Sequence, residues 1–443
     1  MEVILENIIA YSFIFILLVS IVAFYLWKNS KRSTANKAKI EKAKELGFYE
    51  PVSLHPVVNL EICIGSGACI TACPEKDILG IVNGQALPIN ASRCVGHGAC
   101  FYACPVHAIT LCIGTEKRGV DLPHVSPEFE TNVQGIFIAG ELGGMGLIRN
   151  AVEQGRQVVD IISKRIGRTS NADYDLLIIG AGPAGISASL TARKNNLKFV
   201  TLEQDSLGGT VFNFPRAKLI MTSEMELPLY GKIRLKETSK TALMNLWADV
   251  LSKNNIKIND QEKVEEINKK NNYFEVISSK NNYKVNYILL ATGRRGSPRK
   301  LGIPGETKEK VYYRLLEPEL IHDQKILVVG GGDSAIESAL LLRNEANEVS
   351  ISYRSESFSR LKPKNHERIE EAIKNLTIKV IFNSNVIEIL DDRVILSIVN
   401  TDQNIEISNN LVYIFAGGEL PTKFLEKTGI EVSKKFGEVI LKH

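Results

Sequence analysis

The sequence has 443 residues, of which 44% are hydrophobic and 23% charged, and a formal net charge of +4. This composition is typical of a globular protein with room for more than one domain, and it excludes a largely disordered chain. The charge is modest and much of its excess lies between residues 28 and 44, so nothing indicates a nucleic-acid partner.

The first predicted element is a membrane-spanning helix. Residues 8–27 contain no charged side chain, and twenty helical residues span about 30 Å, the thickness of the hydrocarbon core. Two glutamates precede this run and aromatic residues close it, unlike a cleavable signal peptide. The lysines and arginines that follow favour a cytoplasmic location for the remaining chain. We predict a single-pass anchor in a bacterial inner membrane at residues 1–30 and a basic linker at 31–54.

Two similar cysteine runs come next. Residues 63–74 read CIGSGACITACP and residues 94–105 read CVGHGACFYACP. Cysteines in a cytoplasmic domain do not indicate a disulfide framework. The runs resemble those of bacterial two-cluster ferredoxins, in which a cysteine before proline reaches the other cluster. The resemblance implies an α+β ferredoxin-like domain at 55–115 with two ligand sets: Cys63, Cys69 and Cys104 for one cluster, and Cys73, Cys94 and Cys100 for the other.

Each run departs from the ferredoxin pattern at one position. Ser66 and His97 stand where the second cysteine is expected. Three thiolates suffice for a 3Fe-4S cluster, whereas a 4Fe-4S cluster needs Ser66, His97 or an outside ligand at its fourth iron. The pattern leaves both cluster types open, and also the loss of one or both clusters. Cys112, in an apolar segment, is predicted to be a buried strand residue.

A dinucleotide-binding fingerprint follows at residues 176–203. An apolar strand leads into Gly180, Gly182 and Gly185, which permit the tight turn, the approach of a pyrophosphate and the close packing of the next helix. That helix points its N-terminus at the phosphates. Glu203, after the second strand, has the spacing of a ribose ligand. This combination predicts a dinucleotide site. The resemblance to thioredoxin-reductase-like flavoproteins, described below, implies that the dinucleotide is FAD and that the strand-to-turn sequence ending at Gly293 closes its first binding segment.

A second fingerprint begins at residue 325, where a strand leads to Gly330, Gly332 and Ala335. Its second strand ends at Arg354 instead of an acid. An arginine suits a 2′-phosphate, so NADPH is favoured over NADH; alternatively, Arg354 is a solvated surface residue.

An apolar strand ending in Gly140 and Glu141 lies upstream, within residues 131–165. This stretch resembles the last FAD-binding segment of thioredoxin-reductase-like flavoproteins, where the acid contacts the cofactor. Residues 213–216 and 226–231 are similar to stretches of bacillithiol disulfide reductases. Because the family's last segment here precedes its first, we predict a circular permutation. Such a permutation is tolerated where termini lie close together, and it predicts that His443 lies near residues 128–131.

The predicted fold class is α/β. It comprises two Rossmann-type, thioredoxin-reductase-like domains, the small ferredoxin-like domain and one transmembrane helix. We assign residues 116–300 to a permuted FAD domain, completed by 417–443, and residues 301–416 to an NAD(P) domain. Residues 293–305 and 416–421 are the expected hinges.

The chain is predicted to be an NAD(P)H-dependent flavoprotein oxidoreductase. It has no cysteine after Cys112, and Ala184 stands where bacillithiol disulfide reductases carry a cysteine in the first glycine loop. Electrons therefore need another exit, through the clusters to an unknown electron-transfer protein or membrane redox complex. Hydride transfer requires no catalytic side chain. The alternatives are a thiol or disulfide reductase with vestigial clusters and a nucleotide-binding redox sensor or scaffold. The family resemblance also implies a homodimer.

Overall fold

The structure is a computed structural model. It describes all residues except 1, 46–48, 52–53, 76, 95, 97, 118, 145, 167–171, 213–218, 222–223, 235–236, 295–296, 344–345, 359–360, 362, 400, 402, 420 and 443. The chain divides into two compact units: the first comprises residues 1–120 and 435–443, and the second comprises residues 121–434. The second unit is thus a continuous segment inserted into the sequence of the first.

The first unit combines one long helix with a small α+β fold. Its elements are α1 (Glu2–Glu45), β1 (His55–Val58), α2 (Ala68–Ala72), β2 (Leu79–Val82), β3 (Gln85–Pro88), α3 (Ala99–Tyr102), β4 (Ile109–Ile113) and the C-terminal strand (Glu438–Leu441). β2 and β3 form an antiparallel hairpin. β4 is the central strand of a second sheet, pairing antiparallel with β1 and with the C-terminal strand.

Helix α1 differs from the sequence prediction in its length. It continues to Glu45, through most of the stretch predicted as a basic linker. Lysine, alanine and glutamate dominate this stretch and are strong helix formers. The helix also docks on the fold: the Asn36 side chain donates to the carbonyl of Ile81 at 2.9 Å, and Lys39 pairs with Asp77 at 2.9 Å.

Residues 11–27, the described apolar part of α1, are all exposed. This part lies in a helical segment, Tyr11–Glu45, whose most apolar window has a mean hydropathy of 1.9 and no buried residue. By length and composition this helix is able to cross a membrane.

The second unit begins with a mixed sheet and its covering helices. The elements are β5 (Val120–Pro123), β6 (Ile136–Ile138), α4 (Ile148–Arg165), β7 (Tyr174–Ile179), α5 (Pro183–Lys194), β8 (Phe199–Leu202), β9 (Leu219–Met221), β10 (Met225–Leu227), β11 (Gly231–Ile233), β12 (Glu237–Ser239), α6 (Lys240–Lys253), β13 (Val264–Lys269), β14 (Phe274–Ser278) and β15 (Asn282–Leu290). The sheet order is β13-β14-β15-β7-β8. β7 and β8 are parallel, and a glycine loop follows β7 at the carboxyl edge.

The segment predicted to be permuted joins this same sheet. β6 pairs in parallel with the end of β15, from Ile288 to Leu290. Helix α4 packs on α5 so closely that a Cβ on Gly155 would lie 2.2 Å from the carbonyl oxygen of Ala184. Residues from β6 and β7 therefore share one buried core although β6 precedes β7 by a whole helix.

Residues near the end of the chain contact the segment predicted to be permuted. The Asn132 side chain donates to the carbonyl of Gly429 at 2.8 Å and accepts from the Glu431 amide at 3.0 Å. Leu425 and Ile430 contribute to the core of the mixed sheet. Residues 435–443, which the sequence assigned to the FAD domain, group with the first unit instead, because the C-terminal strand pairs there with β4. His443 lies outside the described residues.

A second, parallel sheet occupies the rest of the second unit. Its elements and neighbours are β16 (Ser297–Pro298), β17 (Val311–Tyr312), β18 (Lys325–Val329), α7 (Asp333–Leu342), β19 (Glu348–Ser352), α8 (Pro363–Lys374), β20 (Ile378–Ile381), β21 (Ser384–Ile389), β22 (Arg393–Ile398), β23 (Asn404–Ser408), β24 (Leu411–Ile414), β25 (Gly418–Glu419), α9 (Thr422–Lys427) and β26 (Val432–Lys435). The parallel order is β17-β24-β18-β19-β20, and β21–β23 form an antiparallel sheet. The two predicted hinges lie side by side, since β16 pairs with β25.

Glu306 stabilises the segment that leads into the parallel sheet. Its carboxylate is buried and accepts hydrogen bonds from the Tyr313 hydroxyl at 2.6 Å and from the amides of Leu301 and Gly302 at 2.7 Å each. Burial raises the pKa of this carboxyl, but the hydrogen bonds outweigh it, so the pKa falls below the ordinary value of 4.5. A lowered pKa stabilises the fold above pH 4.5, and this contribution is lost as the pH falls through the folded-state pKa.

We expect Glu306→Gln to lower the free energy of unfolding by about 1–3 kcal/mol at neutral pH, because three donors in part-buried hydrogen bonds lose a charged acceptor. The difference from the wild type should shrink as the pH drops below 4.5. Thermal unfolding at neutral and acidic pH measures both effects. The exposed neighbour Glu309, changed to Gln, is the matched control; an equal loss in that variant would contradict a specific role for Glu306.

Candidate functional site

The first glycine loop contains glycines of two kinds. A Cβ on Gly180 would lie 2.5 Å from the carbonyl oxygen of Ala291, and one on Gly185 would lie 1.8 Å from that of Gly180. Packing therefore requires both. Gly182 has an ordinary φ of −77°, and a Cβ there would meet no atom within 4 Å. The protein itself does not require glycine at this position, but a ligand held against the loop does.

Glu203 lies beside this loop at the end of β8. Its carboxylate is buried and accepts from the Ala181 amide at 2.7 Å and the Asp205 amide at 3.0 Å. Burial is the largest influence and raises the pKa of this carboxyl. Two carboxylate oxygens offer more than two acceptor positions, so ribose hydroxyls fit here as further donors. The residues present therefore fit the adenosine end of FAD.

Residues of the segment predicted to be permuted lie next to the same loop. A Cβ on Gly140 would lie 3.2 Å from that of Ala184, on the first turn of α5. Glu141 follows in a short 3-10 helix. The Gly140 amide donates to the Gln154 side chain at 2.8 Å. Sequence reasoning missed Gln154, which lies in α4, and no sequence signal links it to Gly140. It also missed Gly209, whose Cβ would lie 3.3 Å from Cα of Gly182.

Gly293 lies beyond β15, in a left-handed conformation with φ of 68°. A Cβ there would meet no atom within 4 Å. The turn itself thus explains this glycine, because L side chains rarely adopt positive φ.

The second glycine loop repeats the arrangement at the end of β18. A Cβ on Gly330 would lie 2.5 Å from the carbonyl oxygen of Phe415, whereas one on Gly332 would meet no atom within 4 Å. Ala335 is fully buried at the third fingerprint position. Gly332 thus leaves the same space as Gly182, and the loop fits a second dinucleotide.

Two side chains stand at the end of β19 beside this loop. The Tyr353 ring lies directly against Gly331, where a Cβ would come within 2.5 Å of it. Arg354 is exposed next to it. Sequence reasoning named Arg354 and missed Tyr353, which a glycine at the middle of the loop could have signalled. Arg360 and Lys362, which the sequence places nearby, lie outside the described residues.

The cysteines form two groups in the first unit. One pocket is lined by Cys63, Cys69 and Cys104, together with Ser66 and apolar residues. The other is lined by Cys73, Cys94 and Cys100, again among apolar residues. Each pocket takes two cysteines from one run and the last cysteine of the other run. His97 lies outside the described residues.

Each pocket has the thiol lining that an iron–sulfur cluster needs. Within the described residues, no three cysteine, histidine or acidic side chains converge on one metal position. A cluster distributes its ligands over several irons, so the thiols need only line a common pocket. Backbone amides donate to the sulfurs of Cys63 at 3.4 Å and Cys104 at 3.2 Å, as is common around iron–sulfur clusters.

Burial makes the thiols hard to ionise without a metal. It raises the pKa of Cys94 to about 11 and that of Cys100 to about 12, and neighbouring thiols of the same group add to the shift. The pKa of Cys69 is raised by burial and by Cys63 and Cys104. Bound iron supplies the positive charge that favours the thiolate forms. Cys112 is buried in β4 and lines neither pocket.

Comparisons with known proteins find matches for the region of the two glycine loops and for the cysteine-rich region. The family model for pyridine nucleotide-disulphide oxidoreductases matches residues 177–442, and that for the 4Fe-4S dicluster domain matches residues 55–105. Bacilliredoxin reductase Bdr of Bacillus subtilis (strain 168) is 28% identical over 266 residues, which cover 59% of this chain and 82% of that protein. The ferredoxin–NADP reductase of Picrophilus torridus is 34% identical over 223 residues, covering 49% of this chain and 63% of that protein.

A solved structure supports the same assignment. Bacillithiol disulfide reductase Bdr (YpdA) from Bacillus cereus superposes with a TM-score of 0.52 and 25% identity, covering 58% of this chain and 82% of that one. The match to the pyridine nucleotide-disulphide oxidoreductase model begins at residue 177. It therefore starts after residues 131–165, the segment predicted to be permuted. The chain therefore belongs to the pyridine nucleotide-disulphide oxidoreductase family and is an NAD(P)H-dependent flavoprotein oxidoreductase with a 4Fe-4S dicluster domain.

Proposed function

We propose that this chain is a membrane-anchored enzyme that moves electrons between NADPH, FAD and two iron–sulfur clusters, and exchanges them with a redox partner. A flavin accepts two electrons as a hydride and releases them singly, and a cluster carries one electron at a time. The partner is an electron-transfer protein or a membrane redox complex. In this scheme the two glycine loops bind and orient the nucleotides, and no side chain acts as an acid or base.

One observation carries this proposal. All seven cysteines lie at or before Cys112, so the second unit contains none, while six of them line two pockets in the first unit. A disulfide reductase needs a redox-active cysteine that can reach its substrate or its flavin. Ala184, buried on the first turn of α5, cannot serve as one. The grouped thiols are therefore the best-supported exit for electrons.

Anaerobic reduction of the purified full chain tests the scheme. NADPH should bleach the flavin absorbance, and EPR signals of reduced clusters should then appear in the same sample. Flavin bleaching without any cluster signal, in protein shown to contain iron and acid-labile sulfide, would contradict transfer from flavin to cluster.

Reduction of a small disulfide to thiols is the second candidate, because relatives named as bacilliredoxin and bacillithiol disulfide reductases align with this chain. It predicts vestigial clusters. Absence of iron from anaerobically purified protein, together with NADPH-dependent release of thiols from a disulfide substrate, would favour this reading over the first. A nucleotide-binding sensor or scaffold would instead show little bleaching of the flavin by either NADPH or NADH.

Nucleotide choice is assigned to Arg354. A guanidinium at the end of β19 can bind a 2′-phosphate with charge-assisted hydrogen bonds, whose loss costs about 1.5–3 kcal/mol. We expect Arg354→Ala to raise the KM for NADPH roughly tenfold or more and to leave that for NADH unchanged. Steady-state flavin reduction with both nucleotides measures this. Lys379→Ala, which removes the same charge from an exposed position of β20, is the control, and equal losses in both variants would contradict the assignment.

The membrane location and the assembly state complete the proposal. We propose that α1 crosses a bacterial inner membrane as a single span, with the small α+β fold of the first unit and the whole second unit in the cytoplasm, and we expect a homodimer. Fractionation of cells in high salt and then in detergent tests the anchor, since an integral helix is released only by detergent. Light scattering of the detergent-solubilised protein reports the number of chains.

A further inference from the structure

We propose that residues 59–65, here termed the Cys63 loop, seat on the surface of the lipid bilayer beside α1. Of the two cysteine-lined pockets, the one lined by Cys63, Cys69 and Cys104 then faces the membrane. This inference rests on the proposed anchoring of α1 and adds to it an interaction surface whose partner is the phospholipid headgroup layer.

The first step is the orientation of the small fold on α1. Ser33 and Asn83 hydrogen bond at 3.0 Å, the Asn36 side chain reaches the carbonyl of Ile81, and Lys39 pairs with Asp77. Residues of α1 that lie farther from its apolar stretch therefore contact earlier residues of the segment that contains β2. The turn between β2 and β3 is thus the end of the hairpin nearest the membrane.

The second step is the distance of that turn from the membrane core. Ser33 follows Trp27, the last residue of the uncharged run, by six residues. At 1.5 Å per residue this is about 9 Å along the helix axis. The headgroup layer on each side of the core is roughly 5–8 Å thick. The turn that contacts Ser33 therefore lies at the outer edge of the headgroup layer.

The third step places the Cys63 loop at the level of this turn. The Gln85 side chain donates to the carbonyl of Leu60, and the Ala86 amide donates to the Cys63 sulfur at 3.4 Å. Gly65 is so close to the turn that a Cβ on it would lie 1.8 Å from the carbonyl oxygen of Gly84. The loop and its pocket are thus held at the membrane-proximal end of the hairpin.

The other pocket lies towards the opposite end. It is lined by Leu79, at the start of β2, and by Pro56, whereas the first pocket is lined by Val58 and Ala86. The chain also leaves the small fold at this opposite end, after Ile113, which pairs with Glu438 where the chain returns. The two pockets are therefore separated along the direction of α1, and only the first faces the membrane.

The side chains of the Cys63 loop suit an interface between water and lipid. Leu60, Ile62 and Ile64 are 42%, 46% and 65% exposed, and they alternate with Glu61 and with Cys63, which lines the pocket. Full burial of one such aliphatic side chain yields about 1.5–3 kcal/mol. Basic residues of α1 near the same level attract anionic headgroups: these are Lys28, Lys31 and Arg32.

Tryptophan quenching by brominated lipid tests the inference on the full chain. The protein is reconstituted in nanodiscs of phosphatidylcholine and phosphatidylglycerol, with or without bromine at the headgroup end of the acyl chains. The chain has two tryptophans. Trp247 is fully buried in the second unit and supplies a constant background. Trp27 closes the proposed span, so its quenching in the wild type reports the anchor by itself.

The probe is Ile62→Trp in a Trp27→Phe background. We expect its emission to be lost in brominated lipid relative to unbrominated lipid. The matched control is Val439→Trp in the same background, because Val439 is 50% exposed and pairs with Cys112 towards the opposite end of the fold; it should not be quenched. Iron content and flavin content verify that each variant is folded.

The outcomes separate the two proposals. Quenching of Trp27 without quenching of the Ile62→Trp probe would overturn the docking of the loop and leave the anchor in place. Equal quenching of the Val439→Trp control would also overturn it, because contact would then not be specific to the loop. Ile64→Trp replaces the probe if Ile62→Trp does not fold. An unquenched Trp27 would overturn the anchor and the docking together.

Discussion

Replacing Gly182 with aspartate should release the flavin without unfolding the protein. A Cβ at this position meets no atom within 4 Å, so the side chain fits the apoprotein. An aspartate there would even cap the N-terminus of α5. Its charge would stand against the diphosphate of FAD, and two like charges at 4 Å repel by about 4 kcal/mol at an effective dielectric constant of 20. This corresponds to roughly a thousandfold loss of affinity.

The ratio of flavin to protein after purification, and titration of FAD into the apoprotein, measure this effect. Gly332→Asp is the matched control, because it makes the same change in the second loop; it should retain flavin and lose reduction by NADPH. Gly185→Ala should instead destabilise the fold, since its Cβ would lie 1.8 Å from a carbonyl oxygen. A Gly182→Asp protein that keeps a full complement of flavin would exclude the first loop as the FAD site.

A single cysteine substitution should remove one cluster and leave the other. Two cysteines from different runs should give the same loss when they line the same pocket. Cys73 follows Cys69 in the sequence but shares its pocket with Cys100. We therefore expect Cys73→Ser and Cys100→Ser to abolish the same EPR signal, and Cys69→Ser and Cys104→Ser to abolish the other. Each should reduce the iron bound per chain to about half, because one cluster remains.

Iron and sulfide analysis of anaerobically purified variants accompanies the EPR spectra. Cys112→Ser is the control, since Cys112 is buried in β4 but lines neither pocket; it should retain both signals. The melting temperature of the first unit should fall in the ligand variants, because metal-binding free energy contributes to folding. Loss of one common signal in Cys69→Ser and Cys73→Ser would contradict the crossed arrangement.

The glycine loops could be predicted because their requirements are local. Gly180 and Gly185 are required because a Cβ would clash with atoms only a few residues away or just beyond the neighbouring strand. The spacing of the fingerprint encodes those contacts. The grouping of cysteines followed from the duplicated run and its ferredoxin resemblance. The pockets lined by each set of three cysteines agree with that grouping, although the fourth ligand of each cluster stays a prediction.

Long-range contacts explain what the sequence did not reveal. Nothing in Glu438–Leu441 distinguishes a strand that completes one sheet from a strand that completes another, since edge pairing depends on a partner far away in sequence. The length of α1 was hidden by the charge of its second half, which is also typical of a linker. Gly331 was the one sequence signal of Tyr353, and it did not identify the partner because their contact depends on how two loops meet.

The insertion of the second unit has a consequence for biosynthesis. Ile113 and Glu438 pair in one sheet but lie 325 positions apart (438 minus 113). At 5–20 residues per second, a ribosome needs roughly 15–65 s to deliver the last strand after β4 has emerged. During that time the six cysteines that line the two pockets are already outside the ribosome, while β4 lacks its pairing partner on one side. We therefore expect the proposed ligand thiols to be accessible for cluster insertion before the sheet is complete.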